Sequence, residues 1–539
     1  MPSIGGSNLK TAESINLRAC LALLGLGVLF VALRWNNYDL PLVRDEGEYA
    51  YSAQLLKHGL APYEYSFLQK PPMVVYTYAL ADALAPHVFW FPRVLAALFM
   101  ALATGLLGVI ARLEFGPGAA LPVTWLFTPL VLLPEVQQFT ANTEMFLLLP
   151  LLATITSYAA ARHRGSGSWP WALAGFLGAT AVWYKYTAVA VLGPLFVFWS
   201  VEEWRAGLRP LGLLRRWGFV LLGACVASAA VLAFFLARDA GKRLWECTIL
   251  FNRYYAASRF FGWRSLWVVV KVLWADWWLL FLLPLLLVVS PAPRIRFWFA
   301  MFLAAWFSTR LSIFGHYYII VMPFWALLIF AAIRRLVGWA APKLSLSEAW
   351  LRRALTGVVV LVVCLSHLPW IVRSRDEFAA GRLGGENPFT ESLPVAKRVA
   401  ELTSPADFVY VAGSEPQILY YAQRFSPTRF VITYPLMIPT PLAKGCQKEA
   451  IRELKQRPPA LIVLARSNSS WMIQGGSPPD FFAYFQQLLD QHYERIGGYV
   501  VDRQGARWQE PLAEEDVANA TLVIFRRRAA EDRTPNPGH

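Results

Sequence analysis

The first 370 or so residues are a succession of apolar runs separated by short polar connections. Runs at 17–34, 91–112, 118–134, 143–161, 170–186, 187–203, 216–237, 266–289, 296–309, 313–333 and 354–371 approach the roughly 20 residues a helix needs to cross about 30 Å of hydrocarbon. They predict a polytopic, all-α membrane region. One further apolar segment, 73–85, falls well short of that length and predicts an interfacial or partly inserted helix. Counting it as a crossing would reverse every later connection, so the pattern brackets eleven to thirteen transmembrane helices. Beyond Trp370 the period changes. Strand-like runs at 408–411, 429–432, 460–463 and 521–524 alternate with amphipathic stretches at 415–423, 448–456 and 479–491, which predicts a small α/β domain. The expected division is a membrane domain over 1–371 with a polar loop at 35–72, an α/β domain over 372–528, and a charged, proline-containing tail over 529–539 expected to be disordered.

Charge orients this scheme. Arg162 and Arg164, Arg205 and Arg209, Arg294 and Arg296, and Arg334 and Arg335 all fall on one side if the spans alternate. The positive-inside rule makes that side the cytoplasm, shared with the N-terminus. The loop 35–72, the turns 135–142 and 309–316, the loop 238–265 and the α/β domain then lie outside, and the expected location is a cytoplasmic (inner) membrane. Only 16% of residues are charged, against about a quarter in soluble domains. The net charge of +15 resides largely in these short loops, so it is a topology signal and not a nucleic-acid footprint. Lys10 and Arg18 precede an apolar run with no small-residue cleavage site, which predicts a retained first helix. Cys20, Cys225, Cys247, Cys364 and Cys446 show no paired spacing, so neither a disulfide framework nor a zinc site is expected. The absence of a visible internal repeat weighs against an inverted-repeat transporter.

Candidate chemistry concentrates in the first outer loop. Acidic groups beside a bilayer are costly unless they face water or a partner, yet Arg44-Asp45-Glu46-Gly47-Glu48 and Lys70-Pro71-Pro72 are pinned between apolar segments. Asp45 is a candidate general base, deprotonating a hydroxyl or amine as it attacks a sugar carbon, with Glu46 beside it. A helix N-cap would explain Asp45 alone but not the neighbouring acids or Lys70. Lys70, followed by two backbone-fixing prolines, is a candidate phosphate contact; the plainer reading is a snorkelling lysine. Asn142 and Glu144 sit at the outer end of a span as an acceptor contact or second acid, and Lys185 is a further phosphate candidate. The loop 238–265 is unusually basic for an outer loop, and Arg253 is its candidate anion contact, with lipid headgroups as the competing partner. Arg310, His316 and Tyr317 at a late outer turn complete the phosphate set. Metal binding is undetermined from these residues: no cofactor is certain, and a divalent ion is compatible with the acids. A transporter or flippase of a lipid-linked precursor is the alternative, but it would not need carboxylates beside a juxtamembrane lysine.

Together, the acidic pair, the following Lys-Pro, the Asn142-Thr143-Glu144 turn, the late Arg310…His316-Tyr317-Tyr318 and the stretch Val409–Ala412 followed by Gly413-Ser414-Glu415-Pro416 resemble the GT-C glycosyltransferase superfamily. Within it the chain is similar to the protein O-mannosyltransferase and aminoarabinose transferase branch. The resemblance implies a polyprenyl-phosphate-linked sugar donor, a lipid, glycan or protein acceptor, and inverting transfer at the outer membrane face. It implies Asp45 as the catalytic carboxylate, Lys70 as a phosphate contact and Glu144 as a second acid. The chain departs from that branch at Gln69, where the aminoarabinose transferases carry an acid before the lysine.

Overall fold

The computed structural model describes residues 17–164, 167–258, 292–310, 312, 314–383, 387–502 and 505–528, with a few positions between 259 and 291. Apart from Trp267, Leu280 and residues 283–287, the expected span at 266–289 lies outside the described residues, as does the whole tail at 529–539. Helix α1 covers Leu17–Ala32 and α2 covers Arg44–Lys57. Helix α3, Met73–Leu84, has 12 residues, about 18 Å at 1.5 Å per residue, and is too short to cross. Helices α4 to α9 follow at Phe91–Phe115, Ala120–Val131, Thr143–Arg164, Trp169–Tyr184, Val189–Arg205 and Pro210–Ala237. A short α10, Gly241–Trp245, runs through a π-helical turn, Glu246–Leu250, into α11, Phe251–Ser258. Helices α12 to α14 are Pro293–Ser308, Met322–Leu344 and Glu348–Ile371. Five of these, α4, α6, α9, α13 and α14, are long and apolar enough to cross a membrane, and the chain is a multi-pass membrane protein.

The expected span 313–333 begins late in the structure. Gly315–Ile320 is a 3-10 turn, and the helix starts at Met322 with Pro323 in its first turn. Proline there supplies a preset φ and needs no donor. Ile319, Ile320 and Val321 are buried inside the protein, so their apolarity reads like lipid contact when it is core packing.

Polar groups tie the helices together at the end of the bundle away from the loop 35–72. Glu114, at the end of α4, is buried and takes Arg162 of α6 at 3.0 Å and Arg294 of α12. Arg294 also bonds Tyr158 at 2.7 Å and Glu202 at 3.2 Å. Every charge here has a partner, as burial demands.

After α14 the chain forms helices α15 to α19 at Arg375–Arg382, Ser392–Leu402, Pro416–Ala422, Ala443–Gln456 and Asp480–His492, around a five-stranded sheet. The strands are β1 Val409–Ala412, β2 Leu461–Ala465, β3 Tyr493–Asp502, β4 Gly505–Gln509 and β5 Ala520–Arg527, in the order β1-β2-β5-β3-β4. β1 and β2 pair in parallel, the rest antiparallel. The expected strand at 429–432 is absent. Arg429 turns its guanidinium to Glu246 and Glu449, at 2.8 and 2.9 Å, while its carbonyl accepts from Phe67. That segment is committed to the loops carrying Phe67 and Glu246 and not to a sheet edge.

Helix α2 is docked on this C-terminal region. Tyr51 and Leu55 share a core with Val409, Val411, Ile418 and Leu419. At Gly47 a Cβ would lie 2.6 Å from the backbone nitrogen of Gln417, so only glycine allows α2 and α17 to approach this closely.

Candidate active site

A cavity of about 500 Å³ opens between turns at one end of the helical region and the C-terminal region. Asp45, Lys70, Asn142, Lys185, Arg310, His316 and Tyr317, spread over 270 positions of sequence, all line it. Asp45 lies in the first turn of α2 with its side chain 32% exposed, and its Oδ2 is 3.8 Å from Lys70 Nζ. Lys70 ends the loop before α3, with its carbonyl held by the Tyr63 hydroxyl at 2.9 Å. Burial works against the ammonium, but Asp45, then Tyr317, Glu144 and Glu48, outweigh it and hold its pKa well above the ordinary lysine value. Lys70 is therefore a permanent cation facing the cavity.

Lys185 sits between α7 and the turn Tyr186–Ala188, its ammonium 3.2 Å from the centre of the Tyr317 ring and in contact with Glu144. Glu144 is buried, also accepts from the Thr143 hydroxyl at 2.9 Å, and stands behind Lys185 without lining the cavity. Arg310 and Gln137 hold φ of 56° and 54°, the left-handed region, where non-glycine residues are uncommon. Arg310 donates to the Ala256 carbonyl at 2.7 Å. Opposite it, Gly315 packs so tightly that a Cβ would meet the Glu135 carbonyl at 1.7 Å.

His316 Nδ1 donates to Gln137 Oε1 at 2.7 Å. Burial, offset in part by Glu144 and Asp45, brings its pKa down to about 4. The imidazole is thus neutral at pH 7, with a lone pair on Nε2. To donate to a phosphate it has to carry a proton on Nε2, by protonation or as the other tautomer, a constraint not visible in the sequence.

Two candidates lie elsewhere. Glu46 faces away from the cavity, fully buried against Arg93 at 2.6 Å, and accepts from the Ala141 backbone at 2.7 Å. Its place is to fix the register of α2. Arg253 is exposed and outside the cavity wall; from the same helix, Asn252 and Tyr255 line it, and Asn252 donates to the Gln69 carbonyl at 2.7 Å.

A divalent metal does not fit this donor set. Of the acids singled out, only Asp45 presents a carboxylate to the cavity, because Glu46 and Glu144 are bound to Arg93 and Lys185. Among the described residues no group of three His, Cys, Asp or Glu is placed to hold a metal.

Sequence reasoning missed the other wall. Asn387, Phe389, Tyr434 and Ser469 come from the C-terminal region. Arg44, unassigned beside Asp45, organises them: its guanidinium bonds Glu415 at 2.6 Å, Tyr434 at 3.0 Å, Asn387 at 3.2 Å and the Ser414 carbonyl at 2.6 Å. The only local hint was an arginine next to the acidic pair.

Comparison with known proteins gives the fold and a family match over part of the chain. Residues 69–229 match the model of the dolichyl-phosphate-mannose-protein mannosyltransferase family. No curated protein matches the chain by sequence. Among solved structures, ArnT from Cupriavidus metallidurans bound to undecaprenyl phosphate superposes with a TM-score of 0.59 at 14% identity, covering 97% of this chain and 100% of ArnT. The same protein in its apo state gives 0.58 at 15% identity, with the same coverage. The Archaeoglobus fulgidus oligosaccharyltransferase tethered with an acceptor peptide gives 0.52 at 11% identity, over 94% of this chain and 76% of that one. The chain has the GT-C fold. The family match over residues 69–229 falls within the helical part of that fold.

Proposed function

We propose that the chain is a glycosyltransferase that moves a sugar from a polyprenyl-phosphate donor to an acceptor at the outer face of the membrane, with Asp45 as catalytic base. The observation that carries this reading is the pairing of one cavity-facing carboxylate with a ring of cations, Lys70, Lys185 and Arg310. That charge pattern suits a reaction in which one proton is removed and one phosphate departs. Asp45 takes the proton from the acceptor hydroxyl or amine as its oxygen or nitrogen attacks the anomeric carbon. The bond between that carbon and the phosphate oxygen breaks, and attack from the opposite face inverts the centre. The leaving phosphate gains negative charge, so Lys70 binds it more strongly in the transition state than in the ground state, which lowers the barrier. In the resting protein Lys70 faces Asp45; a bound phosphate draws the ammonium away and frees the carboxylate for its proton.

The likeness to ArnT bound to undecaprenyl phosphate supports a polyprenyl donor. The basic clusters on the side away from the cavity support an outer-face site in a cytoplasmic (inner) membrane, N-terminus inside. The test is Asp45→Asn in purified protein. A general base contributes about 10²–10⁴-fold, so turnover should fall at least a hundredfold while undecaprenyl phosphate binding stays within twofold. Near wild-type turnover refutes the assignment.

A further inference from the structure

The cavity wall contributed by the C-terminal region has a hydrogen-bonding polarity that the donor phosphate does not explain. A guanidinium can only donate, and Arg44 reaches both Tyr434 and Asn387. The Asn387 atom facing Arg44 is therefore the carbonyl Oδ1, which also accepts from Ser469 Oγ at 2.8 Å. With Oδ1 doubly engaged, the Asn387 amide nitrogen points the other way, and neither of its N–H groups has a protein acceptor among the described residues. Tyr434 likewise accepts from Arg44 through its oxygen and keeps its own O–H proton to give. Both residues line the cavity, with Phe389 and Phe139 beside them. The cations of this wall are already neutralised, Arg44 by Glu415 at 2.6 Å and Arg382 by Glu135 at 2.6 Å.

Uncharged donors next to aromatic faces suit neutral, oxygen-rich groups such as sugar hydroxyls, and with its cations paired this wall leaves no net positive charge for an anion. The wall is built around Arg44, one residue from Asp45 in sequence, whereas Lys185 belongs to the wall formed by the helical region. An acceptor whose hydroxyl reaches Asp45 meets this wall beside it, since Asp45 lies close enough to Tyr434 to act on it electrostatically. Resting on the glycosyltransferase reading above, we infer that Asn387 and Tyr434 form the acceptor subsite, and that the acceptor is a glycan, bound through its neutral hydroxyls.

The experiment uses full-length protein in detergent, a polyprenyl-phosphate sugar labelled in the sugar, and native membranes as the acceptor pool. Asn387→Asp keeps Oδ1 for Arg44 and Ser469 but removes both free N–H donors, and Tyr434→Phe removes the hydroxyl proton. Each neutral hydrogen bond contributes modestly to binding. Each variant should therefore raise the apparent KM for membrane acceptor about tenfold, with kcat at saturating acceptor nearly kept. Binding of undecaprenyl phosphate alone should be unchanged in Tyr434→Phe, and the labelled product should resist protease. Loss of undecaprenyl phosphate binding in Tyr434→Phe would place the wall on the donor side and overturn the inference. So would an unchanged KM in either variant, or label released with peptides. Failure of the unmodified chain to bind undecaprenyl phosphate or turn over would instead overturn the underlying reading, and the inference with it.

Discussion

Glu46 and Asp45 are neighbours in sequence with opposite environments, and the difference can be measured. Both side chains of the Glu46–Arg93 pair are 0% exposed. All five N–H donors of Arg93 are occupied: Nε by Glu46 at 2.9 Å, Nη1 by the Tyr38 and Leu40 carbonyls at 2.9 and 2.6 Å, and Nη2 by Pro41 and Glu46 at 3.1 and 2.6 Å. Glu46 also accepts from Ala141 and Val43 backbone nitrogens at 2.7 and 3.3 Å. Breaking a buried pair by removing one partner leaves an uncompensated charge and costs about 3–5 kcal/mol. We expect Arg93→Met to lose that much, and Glu46→Gln somewhat less because the amide keeps one acceptor. The double variant Arg93→Met/Glu46→Gln should recover about 0.5–3 kcal/mol relative to the sum of singles, since contacting residues couple on that scale. Recovery stays partial because the Tyr38, Leu40 and Pro41 carbonyls remain unpaired. Denaturant unfolding in mild detergent, followed by tryptophan fluorescence, gives all three values. Additive singles, or a cost below about 1 kcal/mol, would refute the buried pair. A hundredfold loss of turnover per folded Glu46→Gln molecule, with stability intact, would return Glu46 to the chemistry.

Lys70→Ala should reduce turnover more than it weakens undecaprenyl phosphate binding, and Lys70→Arg should restore only part, because a guanidinium fork differs from a point charge; an effect on affinity alone would show equal binding of ground and transition states. His316, at about 4 in the free protein, is raised by a bound anion, so binding takes up a proton and undecaprenyl phosphate affinity should climb as pH falls from about 7 toward 5. His316→Phe should abolish that climb and leave the opposite trend set by protonation of the phosphate itself, and identical pH profiles would exclude a phosphate contact. For topology, Ser404 is exposed on the C-terminal region, and Ser404→Cys in a cysteine-free background should be labelled by an impermeant thiol reagent in intact cells. Labelling only after permeabilisation would invert the assigned orientation.

The membrane helices were legible in the sequence because lipid imposes a blunt requirement on length and apolarity. Where they were misplaced, as at 313–333, buried Ile319 and Ile320 carried the same apolarity for a different reason. In the C-terminal region β1, β2 and β5 were readable from β-branched runs, whereas β3 and β4 were not. Gly497 and Gly498 interrupt β3, and β4 is only partly buried, so alternation is weak. Asp45 and Lys70 could be singled out because charge beside a bilayer is conspicuous. Asn387 and Tyr434 could not, since their significance depends on Arg44 reaching across 343 and 390 positions of chain.

That reach has a consequence for how the protein is made. The Arg44–Glu415 contact spans 371 positions, and ribosomes extend chains at about 5–20 residues per second. For on the order of 20–70 s at that speed, α2 has left the ribosome with its acidic first turn and Gly47 face undocked. The helices threading the bilayer meanwhile surround half a cavity. The cavity thus stays incomplete in every unfinished chain, and an exposed α2 distinguishes an unfinished molecule from a finished one for any protease that meets it.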